Sequence, residues 1–196
     1  MTEKQSLKGV RIGFALCGSY CVFSKVFPIV RKVLGEGAEV FPIVSENVAA
    51  MDSRFGTARE HLEYLEQVTG KPVIRTIAQA EPIGPKKMLD ILLIEPCTGN
   101  TLAKLASGIA DTAVTLAAKA HLRNQRPVVL AVSSNDALAG NAASLGRLLD
   151  RRDFYFVPFR QDDPQGKPRS LVADFEKTPD TIREALAGRQ IQPLLI

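Results

Sequence analysis

Three polar side chains crowd one helix start in the segment Pro96-Cys97-Thr98-Gly99-Asn100-Thr101. A helix N-terminus leaves amide hydrogens without acceptors, and one or two capping side chains satisfy them. Thr98, Asn100 and Thr101 exceed that need, and the surplus suits a ligand carrying several acceptors. Gly99 lets backbone approach such a ligand closely. The plain alternative is an ordinary structural cap.

Other loops offer related chemistry. Gly18-Ser19 follows an apolar run and precedes a helix, which makes an anion site from amide hydrogens and a dipole end. A simple strand-to-helix turn is the competing reading. Ser45 and Asn47 occupy the matching place after the second apolar run. Ser133, Ser134 and Asn135 follow a later one, and Asp136 is expected to cap the next helix. Lys86 and Lys87 lie on a Pro/Gly loop and, with Arg160, are the cations available for a dicarboxylate. No GxGxxG fingerprint or Walker A loop occurs, since Gly13 and Gly18 are wrongly spaced and no GK[ST] follows.

His61 and His121 are isolated, without a second histidine or carboxylate at metal spacing, so a surface or packing role is expected and no metal. Cys17, Cys21 and Cys97 form no CxxC pair. Cys17 and Cys97 end apolar runs and read as small buried residues, with pocket lining as the alternative.

Apolar runs separated by amphipathic stretches must position these loops. Strands are expected at 10–16, 38–45, 72–77, 90–96, 126–134 and 154–159. Helices are expected from Tyr20 to Gly35, over 58–69, over 100–123 with a break or bend at Gly108, over 136–150, and over 179–188. Pro28 falls inside the first helix. This alternation implies an α/β fold: three layers, doubly wound, with a mostly parallel sheet. Ligands in such sheets lie beyond the carboxyl ends of the strands, and every unusual loop above except the lysine loop follows a strand. Residues 160–178 are polar and proline-bearing and read as an extended arm or lid. The expected organisation is one α/β domain over 1–159, with an arm and short helix over 160–196 packed on it.

The chain has 196 residues, 45% apolar and 23% charged, which is globular composition. Its +4 net charge comes from 25 basic and 21 acidic residues mixed along the chain. No basic cluster points to nucleic acid, and no apolar run is long enough to span a membrane. The polar start MTEKQSLKG lacks a signal-peptide core, so a cytoplasmic protein is expected.

DILLIEPCTGNTLAKLASGIADTAVTLAAKA resembles the central segment of the flavoprotein family, homo-oligomeric enzymes that bind flavin mononucleotide (FMN) and include cysteine decarboxylases and flavin prenyltransferases. In that family a strand ends in Pro-x-[ST]-x-Asn-Thr and continues Ala-Lys-x-Ala-x-Gly-x-x-Asp. Pro96, Thr98, Asn100, Thr101, Ala103, Lys104, Ala106, Gly108 and Asp111 match in order. The resemblance covers roughly 8–150. It implies a Rossmann-like flavoprotein fold, a flavin phosphate near Gly18, Ser19 and Ser45, and ribityl and ring between the 96–101 loop and Ser133–Asn135.

Departures from the family matter equally. The decarboxylase histidine would fall within Glu81–Pro85, which has none. AVSSND replaces a Pro-x-Met-Asn motif, and the prenyltransferase Arg-Glu pair is absent. IGPKKMLDILLIEPCTGNTLAKLASGIADTAVT, SSNDALAGNAASLG and YFVPFRQDDPQGKPRSLVA resemble one branch of the family from endospore-forming bacteria, arm included. That resemblance implies a dehydrogenase-like partner, the A subunit of a two-component enzyme, carrying NAD or NADP. It also implies joint oxidation of dihydrodipicolinate to dipicolinate in sporulation. The alternatives are a non-catalytic scaffold or regulator of that partner, and an independent FMN-dependent decarboxylase. Catalytic residues are not identifiable at this level.

Overall fold

The computed structural model describes residues 6–196; the first five residues of the polar start, 1–5, lie outside the described region. Four strands, β1 (Arg11–Leu16), β2 (Glu39–Val44), β3 (Ile91–Cys97) and β4 (Val128–Ser134), form the parallel heart of the sheet in the order β2-β1-β3-β4. Three more complete it. β5 (Phe154–Phe156) pairs parallel with the first half of β4. β6 (Phe159–Asp163) and β7 (Lys167–Ala173) form an antiparallel hairpin, and β7 pairs with β4 only at Ser133 and Ser134. The two partners on the edge of β4 away from β3 thus divide its length, and the hairpin sits at its carboxyl tip.

The helices are α1 (Phe23–Gly35), α2 (Glu46–Ala50), α3 (Ala58–Thr69), α4 (Ile77–Ala80), α5 (Gly99–Ser107), α6 (Ala113–Arg123), α7 (Ala142–Leu149) and α8 (Thr178–Leu186). They make two outer layers because each strand alternates apolar residues to both faces. Phe14, Leu16, Ile91 and Leu93 face Val26, Ile29 and Ile182 of α1 and α8. Ala15, Leu92, Ile94 and Leu130 face Leu102, Ala117 and Leu148 of α5, α6 and α7. The expected three-layer α/β architecture is therefore the one observed.

Several local expectations are corrected. PVIRTI contributes a single bridge, Ile74 to Ile43, and not a strand. Thr76 and Gln79 close a capping box there and turn the chain into α4. The break expected at Gly108 is, by contrast, present: Gly108 turns left-handed at φ 72° and Thr112 caps α6 afresh, so 100–123 forms two helices. Residues 160–178 are largely the β6–β7 hairpin instead of an extended arm. Asp136 does not cap α7, which begins at Ala142; its carboxylate accepts from the Asn141 amide at 2.7 and 2.8 Å instead.

Candidate functional site

β1 connects to β2 on one side and lies beside β3 on the other, so the crossovers diverge there and leave a crevice at the strand tips. The tips of β2 and β3 end in side-chain caps. Ser45 caps α2, accepting from the Val48 amide at 3.5 Å. Thr98 caps α5, accepting from the Thr101 amide at 3.3 Å. The first-turn amides of Gly99 and Asn100, two residues that line the crevice, are left without intrahelical acceptors.

Two adjoining hollows fill it. The larger encloses about 770 Å³, and the smaller about 450 Å³. Gly18, Thr98 and Asn100 line both and form the ridge between them. Ser19, Gly99, Ser133, Ser134 and Asn135 line the larger. Ser45 and Thr101 line the smaller, together with Cys17, Lys104 and Asp111. The strand-tip residues singled out in the sequence therefore meet, Pro96 excepted. Pro96 is buried in β3, where its carbonyl accepts from the Cys17 amide at 3.3 Å.

Many of the polar groups are engaged with one another. Ser19 and Ser133 hydroxyls lie 2.9 Å apart. The Ser19 amide donates to the Cys17 carbonyl at 2.8 Å, so it is not free for an anion as the loop suggested. Thr101 is buried and its hydroxyl donates to Cys17 Sγ at 3.2 Å. Ser134 donates to Asp136 Oδ1 at 2.7 Å. A Cβ on Gly99 would come within 2.6–2.9 Å of Asn141 Nδ2, Ser134 Oγ and Asp136 Oδ1, so glycine is needed there for packing. Asn100 and Asn135, by contrast, are exposed and make no side-chain hydrogen bond with the described residues.

Protonation states follow from these contacts. The Ser134 hydroxyl and the Asn141 amide hold Asp136 below the usual carboxylate range. Lys104 donates to both Asp111 oxygens at 2.9 and 3.0 Å and lowers that carboxyl too. Burial pushes the Cys17 thiol up to about 11, against the Thr101 bond, so it stays a neutral thiol. No histidine lines either hollow. His61 and His121 are both buried, His61 behind the wall of the large hollow among the rings of Tyr20, Phe23 and Phe27. The crevice is lined mainly by amide, hydroxyl and carboxamide groups.

The proposed carboxylate-holding cations lie elsewhere. Lys86 and Lys87 precede β3, at the amino end of the sheet, because a loop entering a parallel strand is opposite the crevice. Arg160 lines a separate hollow of about 280 Å³ with Lys25 and Glu176. The cations of the large hollow are Arg54 and Lys167. Sequence reasoning missed both. Arg54 sits in an SRFG turn after a helix too short to read, and Lys167 in the segment expected to be an extended arm.

Among the described residues no group of His, Cys, Asp and Glu could hold a metal ion. No helix there is long and apolar enough to cross a membrane.

Residues 1–152 match the Flavoprotein family model. The chain is 48% identical over 191 residues to the dipicolinate synthase B subunit of Bacillus subtilis, covering 97% of this chain and 96% of that protein. The fold superposes on the crystal structure of the dipicolinate synthase B subunit from Bacillus halodurans with a TM-score of 0.90, at 43% identity over 98% of both chains. Burkholderia xenovorans DmrB in complex with FMN shares the fold alone, at TM-score 0.66 and 15% identity over 95% of this chain and 98% of that one.

Proposed function

The chain belongs to the Flavoprotein family, and we propose that it works as the B subunit of a dipicolinate synthase. In this reading its partner is the dehydrogenase-like A subunit, and together they oxidise dihydrodipicolinate to dipicolinate during sporulation in the cytoplasm. The observation that carries the reading is the extent of the similarity: 97% of the chain aligns, so it includes the β6–β7 hairpin beyond residue 152, where the family model stops.

The chemistry asks little of proton transfer from this chain. Two hydrogens leave the dihydropyridine ring, one as hydride to NAD or NADP on the dehydrogenase-like partner and one as a proton to solvent. Aromatisation drives the step. What remains is to hold a dianion in one orientation, which a crevice of amide, hydroxyl and cationic groups does.

Family membership makes FMN the cofactor to weigh against the site, and the residues present fit it. The hollows match the size of cofactor sites. The free amides of Gly99 and Asn100, the side chains of Asn100 and Asn135, and the Ser19–Ser133 pair offer donors at one helix start, while Tyr20 and Val172 offer apolar wall. Gly18, Ser45 and Asn100 would hold the cofactor's polar end. When bound, FMN supplies a two-electron acceptor.

The absence of histidine from both hollows favours a second reading, a scaffold that stabilises the dehydrogenase-like partner without taking part in catalysis. Titration with FMN, followed by turnover of the partner with and without this chain, separates them. We expect dipicolinate formation to need both proteins. Equal rates from the partner by itself would overturn the enzyme-subunit reading. Homo-oligomerisation belongs to the same proposal and is read by light scattering.

A further inference from the structure

The loop between α2 and α3 is a built element of the large hollow. Ser53 and Gly56 exchange backbone hydrogen bonds at 3.0 and 3.2 Å, and the Ser53 hydroxyl adds bonds to the Gly56 carbonyl and the Phe55 amide at 3.3 and 3.1 Å. Both flanks are anchored. Asp52 Oδ1 accepts from the Ala58 amide at 2.9 Å, and Thr57 and Glu60 close a capping box at the start of α3. Gly56, at φ 128°, has no room for a side chain because a Cβ would meet His61 Cε1 at 2.8 Å.

This anchoring leaves Arg54 and Phe55 at the apex of the turn, on the wall of the crevice. Phe55 is 44% exposed. Holding an aromatic ring out to water gives up the stabilisation its burial would bring and leaves its edge and outer face accessible to a ligand in the hollow. The Arg54 guanidinium lies 4.8 Å from the Phe55 ring centroid and has no carboxylate partner among the described residues. Every other cation in the two hollows is paired: Lys104 with Asp111, and Lys167 with Asp162 at 3.1 Å.

We propose that the Arg54–Phe55 turn is the specificity element for a planar ring bearing two carboxylates, with the guanidinium binding one carboxylate and the phenyl ring covering the ring face. A guanidinium presents paired donors that match a carboxylate edge, and a neighbouring aromatic face gives the flat ring a stacking surface. Lys167, on the opposite hairpin, is within the same hollow to receive the second carboxylate from Asp162. The proposal deepens the functional reading above and rests on it for the ligand's class.

The test is calorimetric titration of the full chain with pyridine-2,6-dicarboxylate, with the monocarboxylate pyridine-2-carboxylate as comparator. Wild type is expected to prefer the dicarboxylate. Arg54→Gln should weaken dicarboxylate binding by about ten- to a hundredfold and abolish the preference, as loss of a charge-assisted pair does. Phe55→Ala should weaken both ligands about equally and leave the preference intact. The double variant Lys86→Ala/Lys87→Ala, at the other end of the sheet, should bind as wild type. Unchanged binding in Arg54→Gln and Phe55→Ala overturns the proposal, as does absence of any binding by wild type. So does a variant that binds the dicarboxylate normally but no longer co-elutes with the dehydrogenase-like partner, which would make the turn a protein interface. The functional reading fails separately. Arg54-dependent binding with no contribution to the partner's rate refutes that reading and leaves this one standing.

Discussion

Ser19 Oγ and Ser133 Oγ meet at 2.9 Å although their strands, β1 and β4, are not neighbours in the sheet. β3 lies between them, so the hydroxyl pair reaches across its carboxyl tip. Both residues line the large hollow, and the bond ties the first strand-tip loop to the edge where the hairpin docks.

That bond predicts coupling. Ser19→Ala or Ser133→Ala should each cost about 0.5–1.5 kcal/mol of stability. The double variant should cost less than the sum of the two, because the second substitution removes no further bond. Urea denaturation of all four proteins measures the cycle. Strict additivity would mean that the hydroxyls do not interact.

Gly99→Ala should destabilise by about 1–3 kcal/mol, the usual range for overpacking. Its Cβ would press on the Asn141, Ser134 and Asp136 atoms, and moving any of them breaks a hydrogen bond of that network. Gly146 provides the contrast. It lies within α7 with nothing within 4 Å of an added Cβ. Gly146→Ala should therefore be neutral or stabilising by up to about 1 kcal/mol. Thermal melts that fail to separate the two variants would contradict this account.

The three thiols should react unequally. Cys21 is exposed and lines the large hollow, whereas Cys17 and Cys97 are buried and burial raises both of their pKa values. Iodoacetamide should label Cys21 first in the folded protein, and all three alike in urea. Saturating FMN or pyridine-2,6-dicarboxylate should slow labelling of Cys21. A ligand that binds without slowing it occupies some other place.

How much of this was legible beforehand depended on how local the signal was. The β1, β2, β3 and β4 runs are apolar on both faces and announce a buried parallel sheet without any tertiary information. The crevice residues Gly18, Ser45, Asn100 and Ser133 were legible because the fold class alone brings loops after strands to one edge. Lys86 and Lys87 were misplaced by charge type alone, since their position before β3 already put them at the opposite edge. The hairpin was hidden because β6 is mostly exposed, as Arg160, Gln161, Asp162 and Asp163 show, and an exposed strand carries no apolar alternation. Arg54 and Phe55 gained meaning only from the turn that presents them. The network of Asp136 with Asn141 is a five-residue contact that competes with a capping role, and pattern reading assigns the commoner one.

Glu95 should give the fold a pH dependence of unusual sign. It is fully buried on β3, one oxygen accepting from the Thr178 hydroxyl at 2.6 Å and the other, Oε1, without a partner. Burial pushes its carboxyl from the ordinary 4.5 up to about 8, outweighing the Thr178 bond. The folded protein therefore keeps this proton while the unfolded chain has already lost it. Stability falls as pH rises from about 4.5 to 8 and levels off above, by at most about 4–5 kcal/mol. His121 acts on the other flank, as does His61, which burial also holds below the ordinary histidine range. Burial and then Arg126 pull His121 down to about 4, so stability falls as pH drops from 6.5 towards 4. The two flanks oppose each other between 4.5 and 6.5, and of these groups Glu95 alone acts from 6.5 to 8. Glu95→Gln keeps an acceptor for Thr178 and cannot ionise. Its urea midpoint should stay level from about pH 6.5 to 8 while that of wild type declines, and should still drop on the acid side where His121 titrates. A variant that declines in parallel with wild type above about pH 6.5 would place the responsible group elsewhere.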